Sequence, residues 1–455
     1  MHEGHRKWWV LAASGAALAA FTLDETVVGV ALPSIRDDLG MSEVAAHWVV
    51  NAYLLVLAGF VAAAGRLADI FGLRRVFVTG AVVFGLASLA CGLAQEPAWL
   101  VAARAVQGLG AAMLLPTSLA IVTTAFPVRQ RGLALGVYVA CGGAALALGP
   151  VVGGGLVEAL SWRWIFFVNL PVVIAVIAII MAVWQAPDRS AERPPIDVPG
   201  FVVLVVGLSG IVLALMQGST WGWDAPATIG SLILGVLALA LFWARELRAP
   251  DPLIEVRLFR SGTFTGSNLA ILTGQMAMSA TVVFLALYLQ DELGLSPFVA
   301  GLALFPGVVA TIVSPMLAGR ASDRFGPRLP TLAGLAGLGI ALLGIAVATT
   351  QDAYWPLVPA LVLWGSTIAF TFTPPQSAIM TTVTPQMQGE AGGISRTAQM
   401  IGGTIGIAVF SAILSGGGDF AALFAAAAAV AFVVLAVAWL VIDPSPPSPG
   451  TPTRS

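Results

Sequence analysis

Charge is scarce in this chain. Only 10% of its 455 residues are Asp, Glu, Lys or Arg, 58% are hydrophobic, and mean hydropathy is +0.93. A soluble domain needs more charge than this, and the apolar surplus falls in blocks of about 20 residues or more. Net charge is −2, which speaks against a nucleic-acid partner. The two cysteines, Cys91 and Cys141, both lie inside apolar blocks and read as packing residues without a disulfide. The three histidines, His2, His5 and His47, lie near block edges, so a buried His relay or a His-rich metal site is not expected. No P-loop is present, which argues against ATP as the energy source. Nor does the chain show a metal-ligand cluster or a nucleophile beside a base, as an intramembrane enzyme would need. A receptor would carry a further soluble or signalling domain, and no segment is long enough for one. Arg6 and Lys7 precede the first apolar run as in a signal peptide, but the run is too long and lacks a small-residue cleavage site. It reads as a retained first helix.

What is present is about fourteen apolar blocks, near 8–32, 46–64, 75–95, 98–125, 132–157, 163–184, 199–217, 226–244, 265–290, 297–318, 329–349, 355–382, 393–415 and 420–442. The chain is therefore an all-α polytopic membrane protein. With a cytoplasmic N-terminus, 18 of the 21 Lys and Arg fall on the cytoplasmic side, Arg396 and Arg454 among them; Arg36 and Arg163 lie outside and Arg104 within a span. Both termini are then cytoplasmic. Six spans before Asp188 and six after Arg260 form two bundles, 1–187 and 261–443, with two extra spans in a 188–260 linker and a disordered Pro/Ser-rich tail at 444–455. "GRLADIFGLRR" (Gly65–Arg75) recurs as "GRASDRFGPR" (Gly319–Arg328) after the second span of each half, which points to a repeat.

Two adjacent carboxylates, Asp24 and Glu25, interrupt the apolar run Trp8–Leu32. A charge at mid-bilayer costs roughly 2.5–3.5 kcal/mol on insertion scales. Asp24 sits about 6 Å from the midplane, on the outward side. Burial of a carboxylate favours its protonated form, so such a residue can load and unload a proton. The plainer reading is a polar group paired off to fix packing. Glu25 lies about 100° round the helix, so the two cannot point the same way. Arg104 in the fourth span lies at a similar depth, and Arg104, Gln107, Gly108 and Ala111 share a helical face. An Asp24–Arg104 pair that parts and re-forms would change proton affinity; a static buried ion pair is the alternative. Gly149, Pro150 and Gly153, in "GGAALALGPVVGGG", suit close packing and a kink at a pliable interface between bundles. In "GRLADIFGLRR" Gly72 suits a tight bend, Asp69 a helix N-terminus, and Arg74 and Arg75 headgroups or acids, composing a latch or an ordinary basic loop. Gly65 opens the motif, and Gly319, Asp323 and Gly326 are its gating or structural positions in the second copy. Candidate cavity residues are Tyr53, Gln107, Gln275, Met278, Trp364, Thr367 and Thr371, each of which could equally pack between helices. Such a cavity would suit lipophilic monocations.

In their order, "LDETVVGVALP", "GRLADIFGLRR", "RAVQGLGAA" and "LGPVVGG" resemble the signature series of the major facilitator superfamily, more narrowly its fourteen-helix drug:proton antiporter branch. "WVVNAYLLVLAG", "WRWIFFVNLP" and "GGISRTAQMIGGTIGIAVF" look like the same branch, so the resemblance spans nearly the whole chain. It implies the major facilitator fold, with two extra transmembrane helices between two six-helix bundles. It also implies proton-driven drug export by alternating access, with Asp24 matching the first-span acid, Arg104 the fourth-span arginine, and Gly149 and Pro150 the antiporter motif. Gly29 stands where the family commonly has Asn, and acids in later spans are sparse, which disfavours dicationic substrates. Expected partners are small amphiphiles, protons and membrane lipids, acting on a monomer with no cofactor beyond the proton gradient. Twenty Arg against one Lys, with abundant Ala and Gly, suggests a GC-rich bacterial genome and hence the plasma (inner) membrane. The competing reading is a transporter of lipid or an endogenous metabolite on the same scaffold.

Overall fold

The computed structural model describes residues 3–127, 130–184, 197–249, 255–295, 297–351, 353–384, 387–415 and 417–443. Arg129, Arg189, Arg193, Arg454 and the 444–455 tail lie outside them, as does the side chain of Pro150. The apolar blocks fold as helices because a backbone away from water must satisfy its own N–H and C=O groups. In order they are α1 (Glu3–Asp38), α2 (Glu43–Phe71), α3 (Leu73–Gly92), α4 (Pro97–Ala125), α5 (Arg131–Ala159), α6 (Trp164–Phe167), α7 (Asn169–Val183), α8 (Val198–Trp221) and α9 (Pro226–Glu246). They continue as α10 (Gly262–Ser279), α11 (Leu285–Asp291), α12 (Pro297–Ala303), α13 (Phe305–Phe325), α14 (Arg328–Thr349), α15 (Leu357–Ile368), α16 (Thr373–Thr382), α17 (Gln388–Ser415) and α18 (Phe420–Val441).

Boundaries follow local chemistry. Ser42 accepts from the Ala45 N–H to cap α2, and Asp419 accepts from Ala422 to cap α18. Gly72 (φ 103°) and Gly326 (φ 75°) make the bends that end α2 and α13, positions that exclude a side chain and correspond in the repeated motif. Among the described residues, eleven helical segments are long and apolar enough to cross a membrane, or twelve if α5 is one span across its 44° bend. The blocks 297–318 and 393–415 are helical too, as α12–α13 and α17, but fall outside that set.

Helices α1 to α7 pack among themselves, chiefly α1 on α5, α4 between α2 and α3, and α7 against α1 and α3. Helices α10 to α18 do likewise through α10–α17, α10–α18, α14–α18 and α13–α15. The two groups meet along two seams, α2 with α17 and α5 with α13. α8 and α9 form a hairpin, and α8 packs against both α2 and α17. α9 turns Ile233, Leu234, Leu237 and Leu241 outward, as a lipid-facing helix does.

Candidate functional site

Asp24 is fully buried where α1, α3, α4 and α7 converge. Arg104 Nη1 donates to its Oδ2 at 2.6 Å, and Gln107 Nε2 and Asn169 Nδ2 donate to its Oδ1 at 2.9 and 3.0 Å. Arg104 also donates through Nη1 to Gln107 Oε1 at 2.6 Å and through Nε to the Val49 carbonyl of α2 at 3.0 Å. Gln107 donates to Ser88 Oγ at 2.8 Å. The guanidinium lies over the Tyr53 ring, 4.2 Å from its centroid. A buried ion pair is tolerable only when its remaining polar atoms find partners, and here both Asp24 oxygens and the Arg104 Nε and Nη1 groups have them. Gly108 allows it: a Cβ there would collide with the Tyr53 carbonyl, so α4 can lie directly on α2.

A cavity of about 540 Å³ opens between the two helix groups, beside this knot. Glu25 lines it with Asn51 and Tyr138 from one group and Gln275, Met278, Phe372, Gln376, Arg396 and Gln399 from the other; Val212 and Met216 of α8 also reach it. Asp24 faces the knot and Glu25 the cavity, as neighbours on a helix must. A stack links the two sites: the Arg396 guanidinium over Phe21 (5.0 Å), Phe21 on Tyr53 (6.2 Å), and Tyr53 under Arg104.

At the arginine-rich end the seams are locked by matching contacts. The Asp69 carboxylate accepts the Gly389 and Glu390 N–H groups at the start of α17, at 3.0 and 2.7 Å. The Asp323 carboxylate accepts those of Gly132 and Leu133 at the start of α5, each at 2.8 Å. Each carboxylate thus caps a helix of the other group, satisfying free N–H donors and the positive end of the dipole. A Cβ on Gly65 would strike the Gly389 carbonyl, and one on Gly319 the Gly132 carbonyl. The sequence echo is therefore two copies of one contact.

Glu390 is buried against this lock, with Arg66 Nη1 at 3.7 Å from Oε2, the Glu255 N–H on Oε1, and the acids Asp69, Glu246 and Glu255 around it. Burial pushes its carboxyl from the ordinary 4.5 up to about 7, against the pull of the Glu255 N–H and Arg66. The folded state then holds the proton more tightly than the unfolded one. Stability is full below about pH 4.5 and falls as pH rises through about 7, by about 3 kcal/mol. Glu390→Gln is expected to flatten this dependence, melting higher than wild type by an increasing margin from about pH 5 to about pH 8; parallel melting curves would remove Glu390 as its source.

Several residues named from sequence lie elsewhere than expected. Tyr53 and Gln107 belong to the Asp24 knot and do not line the cavity. Gln275 and Met278 do line it. Trp364, Thr367 and Thr371 do not: Trp364 packs on Gly307, Thr367 on Gly337 and Thr371 on Gly274, while Ile368, Ala369, Phe372 and Gln376 of the same segment face the cavity. The α15–α16 stretch breaks into a 3₁₀ turn at Ala369–Thr371, so a straight-helix register fails there. Gly149 and Gly153 press on Thr26 and Val27 of α1, within one helix group; α5 meets the other group through Gly132 and Gly136. Arg74 donates to the Met181 carbonyl of its own group, and Arg75 is exposed, so neither crosses a seam. Arg396 is no loop residue: it lies two turns inside α17 and faces the cavity. Glu390 occupies the first turn of the same helix.

The model of the Major Facilitator Superfamily matches residues 14–407, and again 268–455. The chain belongs to this superfamily. Among relatives of this facilitator protein, the puromycin resistance protein pur8 of Streptomyces alboniger is 38% identical over 417 residues, 90% of this chain and 82% of that one. The tetracenomycin C resistance and export protein of Streptomyces glaucescens is 32% identical over 412 residues, 90% of this chain and 76% of that one. The human organic anion transporter MFSD10 (TETRAN) shares the fold, with a TM-score of 0.70 at 15% identity over 96% of this chain and 100% of that one. A transporter family accords with the non-enzymatic reading. Asn169, Ser88, Phe21 and Gln399 complete the facilitator sites without having been singled out from sequence. The available signal for Asn169 was an amide inside an otherwise apolar block.

Proposed function

We propose that this facilitator protein is a proton-coupled antiporter that exports amphiphilic drugs carrying a cationic group by alternating access. The observation that supports it best is the adjacency of Asp24, buried against Arg104, and Glu25, facing a cavity between the helix groups. One site buries a carboxylate in an ion pair, the other presents a carboxylate to the cavity, and the Arg396–Phe21–Tyr53–Arg104 stack is a physical link between them. The resistance and export proteins among its relatives favour drugs as cargo. Two bundles, 1–187 and 261–443, would rock about the cavity, with two further spans at 188–260 bringing the total to fourteen. In a bacterial plasma membrane with both termini in the cytoplasm, the locked arginine-rich end is the cytoplasmic side, closed in this conformation. One proton crossing about 100 mV and one pH unit supplies about 3.7 kcal/mol, enough for a several-hundredfold gradient of a neutral substrate, whereas electroneutral 1:1 exchange with a cation leaves only the pH term of about 1.4 kcal/mol, or about tenfold.

The test is transport by purified protein in liposomes with an imposed pH gradient. Ethidium is expected to accumulate while the gradient lasts and to leak back when an ionophore collapses it. Movement of labelled lipid in place of ethidium would replace drug export with lipid transport.

A further inference from the structure

The cavity displays an acid and a base separately. Among the described residues Glu25 has no hydrogen-bond partner and no salt bridge to Arg396, and the two charges act on each other only across the cavity. Arg396 is held in one pose: its plane lies over Phe21, its Nη1 donates to Gln399 Oε1, and Gln399 Nε2 is tied to Gln275 Oε1 at 2.9 Å. Among the described residues its Nε is buried without an acceptor. A guanidinium has five N–H donors in a planar fork suited to a carboxylate or a similar two-point acceptor. A lipophilic monocation could satisfy Glu25 only. It would leave Nε unmet and feel the charge of the guanidinium, so it would bind more weakly than a ligand that meets both groups.

We infer that Arg396 is a specificity-determining group that binds an anionic or strongly accepting group of the substrate, so that the preferred molecules are amphoteric: a cationic end at Glu25 and an acceptor end at Arg396. This rests on the export reading and ranks its substrates, with zwitterions bound more tightly than simple cations such as ethidium, which Glu25 alone still admits.

Two dyes that share one cationic chromophore test it: rhodamine B, whose free carboxylate makes it a zwitterion at neutral pH, and its ethyl ester, a fixed cation. In fluorescence anisotropy with the purified full-length protein, rhodamine B is expected to bind about tenfold more tightly than the ester. Arg396→Met should weaken rhodamine B about tenfold and tighten the ester, since a repelling charge is gone. Arg396→Lys should retain part of the preference for rhodamine B. The wild-type comparison stands even if a variant folds poorly. Equal affinity of the two dyes for wild type, or shifts of both in the same direction in Arg396→Met, would reduce Arg396 to a clamp between α17 and α1 and overturn the inference. If ethidium is still driven by the gradient in that event, export stands and only the zwitterion assignment falls. If ethidium does not move and neither dye binds, both fall.

Discussion

Asp24→Leu and Arg104→Met, made singly, are each expected to cost about 3–5 kcal/mol of stability and to abolish gradient-driven transport. Each leaves a charge buried, the guanidinium over Tyr53 or the carboxylate among Gln107 and Asn169, with no counter-ion. The double variant is expected to recover most of that stability, because replacing a whole buried pair by apolar groups is often neutral or favourable. It should still transport nothing. Thermal unfolding in detergent and ethidium accumulation in liposomes read the two effects separately. A double variant that melts like wild type and remains inactive assigns the pair to coupling. A double variant that both melts and transports like wild type would make it a packing device. Asp24→Asn refines the result, since an amide keeps the acceptor for Gln107 but cannot carry the charge.

The second large effect is expected at the seams. Alanine at Gly65 or Gly319 places a methyl on a backbone carbonyl, which cannot turn aside as a flexible side chain would. Overpacking of this kind costs about 1–3 kcal/mol per site, and the two sites lie on separate seams, so their costs should add. Gly65→Ala/Gly319→Ala should therefore shift the balance away from the closed arginine-rich end by roughly a hundredfold or more. Spin labels at Arg75 and Arg324, exposed on opposite helix groups, would report it as a move to longer distances, with transport lost in parallel. Unchanged distances with intact transport would show that the seams are not the gate. Asp69→Asn and Asp323→Asn should act in the same direction but more weakly, because an amide still accepts one N–H.

The repeated GR-x-x-D motif shows how far a short pattern carries. Its spacing from Gly to Asp is the same in both copies, so the glycine that admits the neighbouring backbone and the carboxylate that caps it occur in register twice. Which helix each copy meets was not in the pattern. Asp69 finds α17 some 320 positions away, and Asp323 finds α5. The cavity was less legible. Glycine, threonine and methionine are common on any buried helix face, so spacing alone could not separate Gln275 and Met278, which line the cavity, from Thr367 and Thr371, which do not.

What the sequence by itself determined was the solvent and the scaffold: scarce charge and long apolar blocks leave only a helical membrane protein, and two acids in the first block stand out because hydrocarbon penalises them. The proximity of Asp24 to Arg104 was readable because both are rare charges at similar depth. The tertiary structure decided the rest. It placed Arg396 in the cavity, where charge-counting assigns it to the cytoplasmic side, because Phe21 and Gln399 receive it there. It turned Tyr53 and Gln107 inward to the knot and used α8 as part of the cavity wall. Depth and polarity are properties of one segment, whereas the direction a helix faces depends on which neighbours it packs against, and only the assembled bundle specifies that.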